Sequence, residues 1–128
     1  MANTIINAAA APAPIGPYSQ AVLANGVLYI SGQIALDPAS GTLVQDNIET
    51  ETHQVMNNLQ AILQEAGLGF MHVVKCTIFV KDLNNFARIN EVYGSYFTQS
   101  PPARETVEVS RLPKDVNVEI SCIAVQAI

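Results

Sequence analysis

The amino-acid sequence predicts an α+β fold, a mixed β-sheet carrying two helices on one face. Three observations predict it. Short apolar runs with strand character open and close the chain, two stretches with a helical apolar stripe lie between them, and 128 residues suffice for one core but not for two. The expectation is one domain over residues 1–128, without internal repeats or linkers.

Element by element, "TIINA" reads as a short strand, and the "APAPIGP" behind it is excluded from regular structure because each proline removes a donor and restricts its predecessor. Asn25-Gly26 then sits between two apolar runs, which predicts a hairpin pairing Ser19 to Ala24 with Val27 to Ser31. "VLYIS" is apolar on successive residues, so both of its faces should be covered, one by helices and the other by a second subunit. A helix follows, capped by Asp46 or Asn47, with Ile48, Val55, Met56, Leu59, Ile62, Leu63 and Ala66 as its stripe and Gly67 as its stop.

"MHVVKCTIFV" predicts a long strand with Val74, Cys76, Ile78 and Val80 on one face. Asp82 is placed to cap a second helix, whose stripe is Leu83, Phe86, Ile89, Tyr93, Tyr96 and Phe97. Asn90 falls on that stripe and must find a polar partner. Two strands close the chain, about Arg104 to Val109 and Val116 to Val125. Alternation puts Arg104, Thr106 and Glu108 on one face of the first, and Glu119 opposite Val118, Ile120 and Cys122 on the second. The expectation is that Arg104 and Glu119 both point away from the helices.

Composition narrows the function. Only 13% of residues are charged against 49% apolar, about half the usual charged share, which leaves little polar material to coat a monomer and favours an oligomer. A net charge of -5 with scattered basic residues disfavours nucleic acid and anionic membranes. No run is long enough to span a membrane, the N-terminus lacks a basic signal region, and the expected compartment is the cytoplasm. Cys76 and Cys122 lie in strand patterns and read as core residues rather than a disulfide framework. His53 and His72 have no ligand-like spacing, and no phosphate loop or nucleophile elbow occurs, so neither metal nor cofactor is expected.

Among the remaining polar residues, Arg104 follows Pro101-Pro102 at the mouth of a strand. It reads either as a surface arginine paired with Glu105 or Glu108, or as a bidentate grip for a ligand carboxylate. Glu119 is either a strand-face glutamate paired to an arginine, or a carboxyl whose pKa burial raises for proton transfer. Tyr18 is a packed tyrosine or a site wall. Ser31-Gly32 marks a strand end or a close approach of ligand to backbone.

"GPYSQA", "LYISGQIALDP", "VVKCTIFVKDLNNFARIN" and "PPARETVEVSRLPKDVNVEI" resemble, in the same order, the RidA (YjgF) family. That resemblance implies a chorismate-mutase-like fold, a homotrimer with clefts between subunits, and cofactor-free hydrolysis of enamines and imines such as 2-aminoacrylate to 2-keto acids and ammonia. It implies that Arg104 grips the substrate carboxylate, that Glu119 activates water and relays protons, and that Tyr18, Ser31, Gly32 and Asn90 line or support the cleft. Thr106 stands where some members carry a cysteine, and Glu105 where a small or apolar residue is usual, which bears on substrate preference. A trimer that binds small carboxylates without turnover is the alternative. An RNA-directed role is disfavoured by the acidic balance.

Overall fold

The structure, a computed structural model, describes residues 3–126. Six strands, β1 (Thr4–Ile6), β2 (Ala21–Ala24), β3 (Val27–Gln33), β4 (Val73–Val80), β5 (Ala103–Glu108) and β6 (Val118–Val125), form one sheet in the order β1-β2-β3-β6-β4-β5. Only β4 and β5 pair in parallel; every other neighbour is antiparallel. Helices α1 (Ile48–Glu65) and α2 (Phe86–Gly94) pack on one face.

Local chemistry accounts for these elements. Asn25 and Gly26 take positive φ values of 51° and 77°, the geometry of a tight hairpin turn whose twist matches its strands. Asn47, not Asp46, caps α1, its Oδ1 accepting from the Thr50 N–H at 2.8 Å. The stripe of α1 lies against Leu28, Ile78, Ile120 and their neighbours, all buried. Each such side chain contributes about 1.5–3 kcal/mol by leaving water. Cys76 and Cys122 are free, buried and directly opposite one another in this core. Contact with Cys76, together with burial, pushes the Cys122 thiol up.

Three expectations need correction. A register shift between Val73 and Lys75 puts Val73 on the buried face of β4 and leaves Val74 exposed, because a bulge inverts the alternation behind it. Asp82 caps a 3₁₀ turn at Leu83–Asn85, and α2 begins only at Phe86 and ends before Tyr96 and Phe97. The helices cover one face of β3 and, within the single chain, leave Tyr29 on the other face 51% exposed.

The third correction concerns Arg104. In register, Cys76, Ile78 and Val80 of β4 stand beside Arg104, Thr106 and Glu108 of β5, so those β5 side chains share the helix-facing side, while Glu119 on β6 points to the open side with Phe79 and Val107. β5 is an edge strand whose inner face meets the polar and aromatic flank of α2 rather than the core. Its valine is the residue left outside, with Val107 41% exposed.

Candidate functional site

On the open face, β6 and the register break of β3 between Ile30 and Gln33 build a cavity of about 430 Å³. Tyr18, Ser31, Gly32 and Glu119 line it, with Pro12, Ile15, Ile34, Leu36 and Pro113 supplying an apolar wall. The Glu119 side chain lies directly over Gly32, where any Cβ would overlap its carboxylate. Only glycine at position 32 lets the acid occupy this place. Glu119 is half-buried, and burial pushes its carboxyl above the usual range. A carboxyl raised in this way holds a proton more readily than a solvated one, which suits proton transfer.

The cavity rim is tied down by side chains. Ser31 Oγ donates to the Ser19 carbonyl at 2.6 Å, and the Ile15 N–H donates to the Tyr18 hydroxyl at 3.3 Å. Buried Gln20 holds the proline-rich rim: its Oε1 accepts from the Ala8 N–H at 2.6 Å and its Nε2 donates to the Pro12 carbonyl at 2.8 Å. Sequence reasoning missed this glutamine. Its signal was a polar residue at the entry of an apolar strand, immediately before Ala21.

Arg104 lies on the other face. Its Nη1 donates to Asn90 Oδ1 at 2.6 Å, and its guanidinium carbon sits 5.6 Å from the Phe86 ring centre and 5.0 Å from that of Tyr93. Both carboxylates that could have neutralised it are engaged elsewhere. Glu105 takes the Thr77 hydroxyl at 2.7 Å and Lys75 at 3.0 Å, which together hold its carboxyl below the ordinary value. Glu108 accepts from the Leu83 N–H at 2.9 Å, at the turn leading into α2. Among the described residues, Arg88 and Arg111 are paired with acids and Arg104 is not. The Thr106 hydroxyl beside it is buried and has no hydrogen-bond partner among the described residues.

The sequence-predicted residues therefore fall into two groups, Tyr18, Ser31, Gly32 and Glu119 around the cavity and Arg104, Asn90 and Thr106 against α2. Glu119 and Arg104 stand two strands and three residues apart, on the order of 14 Å in the plane of the sheet, and on opposite faces. Within one chain they cannot grip the same small molecule.

Fold and site together define a small α+β protein that presents a carboxyl group in a cavity on one face of its sheet and, on the other, an arginine that no acid among the described residues neutralises. The chain belongs to the family described as Endoribonuclease L-PSP, which matches residues 8–126 and includes the YjgF, RidA and RutC proteins. It is 56% identical over 127 residues to a RutC family protein of Synechocystis, covering 98% of each chain. It is 49% identical over 126 residues to the 2-iminobutanoate/2-iminopropanoate deaminase of Bos taurus, covering 98% of this chain and 92% of that one. Escherichia coli TdcF, solved with bound serine, superposes with a TM-score of 0.93 at 40% identity, over 97% of this chain and 99% of that one.

Proposed function

We propose that the protein hydrolyses 2-imino acids, formed from enamines such as 2-aminoacrylate, to 2-keto acids and ammonia. The observation that carries this reading is Glu119, a carboxyl raised by burial and held over Gly32 in an apolar cavity. Water adds to the carbon of the protonated imine, its proton passing to the Glu119 carboxylate; Glu119 returns that proton to the carbinolamine nitrogen, and as the C–N bond breaks the hydroxyl becomes the keto oxygen, its proton passing back to the carboxylate and on to the released ammonia. The substrate already carries an electrophilic carbon, so positioning and proton transfer suffice.

In this reading Arg104 supplies the carboxylate grip, and its place on the opposite face supports a complete site built from two copies of the chain, with Arg104 of one facing the Glu119 cavity of its neighbour. A homotrimer with clefts between subunits fits this requirement. The names of the mammalian relatives and the serine bound to TdcF support a small amino-acid-derived carboxylate as ligand.

The test is ammonia and keto-acid release from 2-aminoacrylate generated in situ by a serine-consuming pyridoxal-phosphate enzyme. Acceleration by the protein, lost in Arg104→Ala, is expected. Equal acceleration by a folded Arg104→Ala would remove the assignment, whereas ligand binding without acceleration would leave a carboxylate-binding protein.

A further inference from the structure

Helix α2 carries more of the site than Asn90. Phe86, Asn90 and Tyr93 occupy positions i, i+4 and i+7, one stripe of the helix rising about 10.5 Å over two turns. The guanidinium carbon of Arg104 lies about half that rise from each ring centre, 5.6 Å from Phe86 and 5.0 Å from Tyr93, with Asn90 bonded to Nη1 between them. The helix thus presents aromatic, amide and aromatic groups in series to a single cation. Tyr93 is buried and Phe86 is partly exposed.

We propose that Phe86 and Tyr93 are positioning residues for Arg104: their rings fix the guanidinium so that the donors not used by Asn90 are presented to a ligand carboxylate before it arrives. The proposal rests on the carboxylate-binding reading of Arg104. An arginine has five N–H donors and a flexible stem, and it loses rotamer freedom on gripping an anion. Ring faces attract the cation without consuming in-plane donors, since the attraction runs to the π-cloud rather than along N–H bonds. A carboxylate in place of the rings would hold the arginine equally well and would occupy those donors.

For Tyr93 the ring, not the hydroxyl, performs this task. Its OH is buried against the Cys76 thiol and makes no well-aligned hydrogen bond among the described residues. Tyr93→Phe and Tyr93→Leu therefore separate the two, and Phe86→Leu repeats the test at a position whose exposure makes folding insensitive to the change.

Two readouts are needed on the assembled protein. The first is the ¹⁵N spectrum of the Arg104 guanidinium, expected to be sharp in the parent and in Tyr93→Phe and broadened in Tyr93→Leu and Phe86→Leu. The second is affinity for 2-oxobutanoate by NMR titration, expected within twofold of the parent for Tyr93→Phe and weakened roughly three- to thirtyfold for each leucine variant. Turnover should follow as a raised KM with kcat little changed, the mark of lost uniform binding.

A guanidinium signal that stays sharp in both leucine variants overturns the proposal, as does a Tyr93→Phe variant as weak as Tyr93→Leu. If instead the leucine variants broaden the signal while Arg104→Ala binds 2-oxobutanoate like the parent, the positioning stands and the carboxylate reading of Arg104 falls.

Discussion

Glu119 is half-buried in an apolar cavity, and burial raises its pKa above the ordinary 4.5. Between 4.5 and the raised value the native state holds the proton more firmly than the unfolded chain. The stability associated with the neutral carboxyl is therefore complete below pH 4.5 and is lost as pH rises through the folded-state pKa. Glu119→Gln should raise the thermal midpoint at pH 7 and leave it unchanged at pH 4, while turnover drops about a hundredfold or more. Calorimetry at the two pH values decides the first point; an equal shift at both would mean that burial of the charge is not the cause. The residue to which the proposed chemistry is assigned is thus one that the fold would be more stable without.

At the level of elements, α1 does more than cover the sheet. Glu51, fully buried, accepts from the Asn117 N–H and from its side-chain amide, both at 2.8 Å, and so pins the entry of β6 two residues before Glu119. Glu51→Ala strands two donors and should cost roughly 2–3 kcal/mol in urea unfolding, with turnover falling although the residue touches no ligand. A midpoint within experimental error of the parent would refute the anchoring role.

Such long-range ties were not legible in the sequence, where Glu51 is one acid in the polar run "ETETH". The elements themselves were legible, because Asn25-Gly26, the α1 stripe ending at Gly67 and the alternation in β6 each have a local cause. What failed was sidedness in β5. Alternation divides a strand into two faces but does not say which one meets the helices, and for an edge strand lying against a polar helix flank the apolar residues are a misleading guide. Hence Arg104 and Glu119 were identified as candidates and put on the wrong relative sides. The apolar wall of the cavity, built from the proline-rich rim, also has no periodic signal.

For the whole molecule, the sheet face opposite the helices exposes Ile5, Tyr29, Val107 and Val125, a concentration of apolar side chains of the kind that association surfaces carry. Under the proposed trimer, light scattering should give three times the chain's 13.7 kDa. Val107→Asp should yield the single-chain mass and abolish turnover with an unchanged circular-dichroism spectrum; a trimer that survives the aspartate would put the interface elsewhere. Among the described residues no helix is long and apolar enough to cross a membrane.

The opposite-face placement of Arg104 and Glu119 has a genetic consequence. If each cleft borrows its cation from one chain and its acid from the next, two dead variants are not equally dead in company. Arg104→Ala and Glu119→Gln chains, unfolded together and reassembled in equal amounts, should form intact clefts at about one quarter of the interfaces of a cyclic trimer. Activity would then reappear from a mixture of two inactive parents, as intragenic complementation, and a mixture that stays silent after proven subunit exchange would place both groups in the same chain's cleft.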